Sequence, residues 1–422
     1  MGIITEFLGT KSYGKKEVTL ASTGDVGVPV SSKVTPKDER IDPSELERAY
    51  KRDPITFNSI NKSTQMIMAA GYTFEFKTEK AKAFYTEFFE NIGVVGEEIT
   101  LDDLFYAIYK DQKIFGSAFV ELVYDARTDK RVVDLLLIDP KRMDYAKDSE
   151  DNIVLDRYGR PVGYCYKLPW DSSARSDGDS IPQEYKGVVT LKDNSIFMLP
   201  KRVCHFKLYI SGDGLYGIGE IEPSYKSIVR RMNVEEAQSN SIYARGTYPV
   251  IAYVGDEEHE ATPQNIDKTL EELTKMNHKR YHAFPNWIRV EPLEVKQSEI
   301  VQQTLEYLRV NSVASSGMPM AFATGAGEAT NRATLSNQQR LLEFTLNDHI
   351  RRTIATFTKN ILRRIAISNK IDEVPKITWG TIGLEGLNDK ADRITRYVKN
   401  GILSSEDVKD FILKSEGMRD GN

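Results

Sequence analysis

Residues 203–220 read VCHFKLYISGDGLYGIGE. An extended stretch runs into Gly212-x-Gly214-x-x-Gly217, and a helical pattern follows. That is the spelling of a dinucleotide-binding turn, in which glycines let the backbone approach a pyrophosphate at a helix N-terminus. Three features oppose this reading. Phe206, Leu208 and Ile210 alternate with His205, Lys207 and Tyr209, which suits a half-exposed strand of an antiparallel sheet. The acid that should hold the ribose about 20 residues on falls among Met232–Glu236, inside a helical run, and the first acid after the next strand is Asp256. Pro223 also sets the helix start away from Gly214, so its dipole is badly placed for a phosphate. The glycines Gly212, Gly214, Gly217 and Gly219 therefore read as a tight turn before a long helix, with positive φ as their use.

The bulk composition fits a protein with a substantial core. The chain has 422 residues, 40% apolar and 28% charged, enough for two or three domains or one multi-part subunit. Its 57 basic and 62 acidic side chains give a net charge of −5, without the basic excess of a general nucleic-acid binder. Cys165 and Cys204 are far apart, which suits a reducing compartment rather than a disulfide scaffold. No apolar run has the length of a membrane span, and the first residues lack a signal-peptide layout. A soluble protein made in a cytoplasm is expected.

Periodicity divides the chain. Residues 1–45 read as an arm, and order is expected to begin at Asp42-Pro43-Ser44, a helix start. Helices are expected over 57–70, 80–91 and 101–114. Strands follow over 117–124, 132–138, 161–168 and 196–210, with a polar loop at 171–183. A helix runs from about Ile221 to Arg245, stopped by Gly246. Then come a strand at 249–254, a helix capped by Thr262-Pro263, a strand over about 283–295 and a helix over 298–315. A loop of small residues spans 321–333, and a helix of roughly 50 Å is expected over 334–368, before a short strand and two small helices.

Other candidate sites are weak. Thr324-Gly325-Ala326-Gly327-Glu328-Ala329-Thr330-Asn331-Arg332 opens into a helix as a P-loop does, but no Gly-Lys-Ser/Thr follows. Small side chains favour a mobile loop there. His278 and His282 have metal-ligand spacing, yet no cysteine or acid completes a set, and a solvated helix end is the better reading. No Ser-His-Asp set, H-E-x-x-H motif or carboxylate pair in a pocket context stands out. Neither a catalytic residue nor a metal or other cofactor is expected.

Four stretches together resemble the portal proteins of tailed viruses, which form the ring at one capsid vertex. They are Leu135-Leu136-Leu137-Ile138-Asp139-Pro140, Asp213-Gly214-Leu215-Tyr216-Gly217-Ile218-Gly219-Glu220, EYLRVNSVASSGMPMAF at 306–322, and Gly401-Ile402-Leu403-Ser404-Ser405-Glu406-Asp407. The resemblance covers roughly residues 50–415. It departs at Gly317-Met318-Pro319, where the family usually carries Gly-Val-Pro, and in a long helix without a midway proline.

The resemblance implies an α+β, elongated subunit that forms a ring, with a wing, stem helices, an α/β clip, a tunnel loop and a helical crown. Its parts would be an arm at 1–45, wing at 46–215, stem helix at 216–246, clip at 247–297, second stem helix at 298–316, tunnel loop at 317–333, more wing at 334–380 and crown at 381–422. Gly212, Gly214, Gly217 and Gly219 would be a hinge-like turn from wing to stem. Thr324, Gly325, Ala326, Gly327, Glu328, Thr330, Asn331 and Arg332 would face DNA. Lys226, Arg230 and Arg231 would line the channel or pair with acids of the next subunit. The implied partners are eleven further copies in a twelve-subunit ring, double-stranded DNA, the large terminase, the major capsid protein and a head–tail adaptor, with no membrane. The implied location is the virion, after assembly in a host cytoplasm. The rival reading is a nucleotide-binding enzyme that uses Gly212/Gly214/Gly217 or Gly325/Gly327.

Overall fold

The computed structural model describes residues 33–34, 40–93, 99–125, 131–168, 179–192, 194–212, 214–246, 250–256, 260–275, 284–292, 299–325, 332–380, 382, 394–401 and 404. Its first element, β1 (Lys33–Val34), lies in the arm. Helix α1 (Pro43–Arg52) begins where expected: the Asp42 carboxylate accepts from Ser44 N at 2.7 Å and Pro43 opens the first turn. Asp53 repeats the device for α2 (Pro54–Ala69), accepting from the amides of Ile55 and Thr56. β2 (Tyr72–Glu75) and α3 (Glu79–Glu90) follow. A capping box of Thr100 and Asp103 starts α4 (Leu101–Phe115), and Gly116, at φ 76°, ends it.

The next strands are β3 (Ser117–Tyr124), β4 (Val132–Ile138), β5 (Met143–Tyr145), β6 (Ile153–Val154), β7 (Tyr164–Lys167), β8 (Ser195–Met198), β9 (Val203–Lys207), β10 (Tyr209–Ile210) and β11 (Gly217–Ile218). They form sheets β4-β3-β9 and β5-β7-β8, with the ribbons β1-β6 and β10-β11. Every pairing is antiparallel. The expected single strand over 196–210 is three strands in three sheets. A turn closed by Arg202 N on Leu199 O separates β8 from β9, at Pro200, which has no amide to give a ladder. β9 is antiparallel to β3, as its alternation suggests, but it is not half-exposed: Val203, Cys204 and Phe206 are buried and His205 and Lys207 partly so, because other elements cover both faces.

After α5 (Ile221–Gly246), a ribbon of β12 (Val250–Val254) and β13 (Ile288–Pro292) encloses α6 (Pro263–Lys275) in sequence. α7 (Glu299–Ala314) and the short α8 (Met320–Thr324) lead to α9 (Arg332–Phe357). The expected loop over 321–333 is thus helical at its start and reaches α9 at Arg332. A π-helical turn, Thr358–Leu362, joins α9 to α10 (Arg363–Asn369), so the helical rod spans roughly 57 Å at 1.5 Å per residue. The wider turn brings Phe357, Ile361, Leu362 and Ile365 together into the core. Last, β14 (Lys376–Trp379) pairs with β2, its partners lying from 301 (376 − 75) to 307 (379 − 72) residues earlier in the chain. The main core lies between α2–α4, β3–β4 and this rod; Phe105 packs on Phe357 and Trp379, whose indole donates to Ile67 O at 3.0 Å.

Candidate channel helices and the root that holds them

Helices α5 and α7 pack against each other and run antiparallel. Ser224, at the start of α5, donates to Asn311 O at 2.8 Å and lies 2.6 Å from the Ser315 hydroxyl, just past the end of α7. Ile228 on α5 and Leu305 and Leu308 on α7 are buried. The outer side of α7 leaves Tyr307 67% and Val310 52% exposed. Midway along α9, Leu341 and Phe344 are 66% and 72% exposed.

The root of α5 is held by backbone against backbone. Gly217 and Gly219 lie on Gly116: a Cβ on Gly217 would stand 2.0 Å from Gly116 O, and one on Gly219 2.6 Å from Ile114 O. Gly116 O accepts from Leu208 N, and Lys113 O accepts from Glu220 N at 2.7 Å. Next to this seam the Lys113 amine meets the Glu220 carboxylate at 2.5 Å, with both side chains buried. Burial raises the Glu220 pKa, and the Lys113 charge opposes the rise. The Ser315 hydroxyl donates to Glu220 O, which ties α7 to the same point.

Gly212 and Gly214 have the open turn expected of all four glycines, at φ 63° and 68°. Gly217 and Gly219 do not: neither has positive φ, and both are there for close approach. For these two the hinge-like reading is corrected to a packed seam. The rival phosphate cradle fails on the same geometry. The Glu220 amide is taken by Lys113 O, and its buried carboxylate stands at the helix start where a pyrophosphate would sit.

About three turns further along α5, Arg231 is also buried, paired with Asp53 and reaching Glu235 at 3.3 Å. The expectation that Arg231 lines the channel or pairs with acids of the next subunit is therefore corrected: it is 2% exposed and pairs within its own chain. Ile221, Ser224, Ile228 and Arg231 form the buried stripe, and the carboxylate that caps α2 draws the guanidinium inward. Lys226 and Arg230 are exposed, four residues apart on one face.

Thr324 is the last residue of α8, and Gly325, at φ 75°, is its left-handed cap. Asn58 donates to Ala323 O at 2.6 Å and Lys62 to Phe322 O at 2.8 Å, fixing the start of the loop to α2. Ala326, Gly327, Glu328, Thr330 and Asn331 lie outside the described residues, as do Asp213 and the pair His278 and His282; Arg332 opens α9. Sequence reasoning missed Lys113, Gly116, Glu220 and Asp53. Gly116 left a signal as the stop after a helical period, and Asp53 before Pro54 left the same cap signal as Asp42 before Pro43.

Two histidines are held neutral by burial. His205 stacks on Phe119 and meets Ser117 Oγ at 2.9 Å, while His349 meets Gln112 Oε1 at 3.0 Å. Their pKa values fall well below the usual range, through desolvation first and nearby cations second. Among the described residues no group of His, Cys, Asp and Glu is placed to hold a metal. No helix among them is long and apolar enough to cross a membrane.

Neither a family profile nor a curated protein matches the chain by sequence. Solved structures do match by fold. A chain from the neck of a native GTA (gene transfer agent) particle, computed with C12 symmetry, superposes at a TM-score of 0.56 and 15% identity, over 90% of this chain and 92% of that one. A chain from the neck of an empty GTA particle, computed with C6 symmetry, gives 0.58 and 14% over 89% and 92%. An HK97 family phage portal protein from Corynebacterium diphtheriae gives 0.47 and 12% over 83% and 96%. The two neck chains show that this chain has their α+β fold along almost its whole length.

Proposed function

We propose that this chain is a portal subunit that assembles into a ring around a channel for double-stranded DNA. The observation that carries the reading is the end-to-end fold match to a neck chain in a particle computed with C12 symmetry. The antiparallel pair α5–α7 would line the channel, with Lys226 and Arg230 on its exposed face and Arg231 serving the root instead. A sliding polyanion is slowed by each phosphate that Lys or Arg neutralises, so few isolated cations on a chain of net charge −5 suit passage better than grip. The exposed residues Tyr307, Val310, Leu341 and Phe344 offer apolar surface to neighbouring copies, as a closed head-to-tail ring requires. In this reading the loop after Gly325 faces DNA. The terminase, the major capsid protein and a head–tail adaptor dock on the ring, which resides in the virion.

Gly325→Pro tests the loop. Proline fixes φ near −65° and removes the amide that donates to Ala321 O, so the cap at φ 75° cannot form. The expected result is a ring of normal mass in particles that fail to fill with DNA. Normal filling in that variant would refute the role given to the loop.

A further inference from the structure

A groove of about 710 Å³ opens between the start of α1 and the β5-β7-β8 sheet, within the size range of ligand sites. Six cations line it: Arg40, Lys141, Arg142, Lys147, Lys167 and Lys192. Only two acids do, and both are engaged. Asp42 caps α1, while Asp144 accepts from the Tyr216 hydroxyl, the Lys147 amine and the Tyr145 amide.

Five of the six cations have a neighbour that holds them, Lys147 through Asp144. Lys141, Arg142 and Lys192 are braced by Glu47, Asp139 and Asp151, none of which lines the groove. The Arg40 guanidinium lies over the Tyr216 ring, 3.8 Å from its centroid. Arg40 and Lys167 make no ion pair among the described residues. Pinned side chains lose less freedom when a ligand arrives, and exposed pairs such as Lys192 with Asp151 exchange partners at little cost.

We propose that this groove receives an extended, Asp/Glu-rich segment of a partner protein. Shape and spread favour that occupant. A duplex is a convex rod that cannot enter such a concavity. The cations come from separate segments, namely the arm, the turn after β4, the ends of β5 and β7, and the residues before β8, so they do not converge on one phosphate. Carboxylates on every second residue of an extended chain recur at roughly 7 Å intervals along one side, which suits dispersed amines. The chain's own arm is not that segment, since residues 1–39 carry as many Lys as Asp and Glu.

The test is fluorescence polarisation of a labelled synthetic peptide of alternating Glu and Ser, against the full chain and its Lys167→Glu/Lys192→Glu variant. A single-stranded oligonucleotide of equal charge is run beside it. Saturable peptide binding is expected, weakened by about tenfold or more in the variant, with unchanged circular dichroism and native mass. Absence of saturable peptide binding, or equal binding by the variant, would overturn the proposal. So would an oligonucleotide that binds as tightly and is lost in the same variant, which would make the groove a nucleic-acid site. The readout needs no ring, so it is separate from the portal reading.

Discussion

Lys113→Met is expected to destabilise the fold by about 3–5 kcal/mol, the usual cost of leaving one member of a buried ion pair alone. Lys113 and Glu220 are 1% and 2% exposed, and the second oxygen of Glu220 has no hydrogen-bond partner among the described residues. Without the amine, the carboxylate is left in a dry seam between α4 and the root of α5. Its pKa is already raised by burial, so it would take up a proton rather than stay charged. That relief is partial, because a protonated carboxyl still needs partners. The double variant Lys113→Met/Glu220→Leu removes both charges and is expected to recover most of the loss. Urea unfolding followed by circular dichroism measures both. A single-variant loss below about 1 kcal/mol would mean that the pair behaves as a surface pair and that the root is not held as described.

Gly217→Ala should cost about 3 kcal/mol or more, near the upper end for overpacking. The new methyl would meet Gly116 O at 2.0 Å and Leu208 N at 2.9 Å, and both are backbone atoms with no rotamer to change. Gly116 cannot retreat, since it caps α4 in the left-handed region and its carbonyl holds Leu208. Gly212→Ala is the control. It has φ 63° and open space around it, so its cost is only the left-handed penalty of about 1 kcal/mol. Thermal unfolding ranks the two. The seam requires Gly217 to be much the more sensitive. Equal or reversed sensitivity would count against the seam.

What could be read in advance follows from the range of the forces involved. β3 over 117–124 and β4 over 132–138 fall where the strand pattern places them, and the start of α1 follows from Asp42 and Pro43. Those signals are local: a period, a cap, a turn residue. The misplaced features depend on distant partners. Arg231 turns inward because Asp53 is buried beside it, 178 residues away in sequence. Gly217 and Gly219 are needed because Gly116 passes them, and no feature of their own segment says so. The π turn at Thr358–Leu362 answers the packing of the core around Phe357 and Ile361, while its own residues have ordinary helical character. The loop residues that the portal resemblance turns toward DNA have mostly small side chains, which carry no signal for the cap that forms there. Of these, Thr324 and Gly325 are now seen as a helix end and its cap.

The native mass of the purified chain, with class-averaged electron micrographs of the same sample, tests the central claim most directly. The portal reading requires a ring of about a dozen subunits of 47.9 kDa each around an open channel. A monomer or dimer at every concentration, with no channel in any class average, would contradict it.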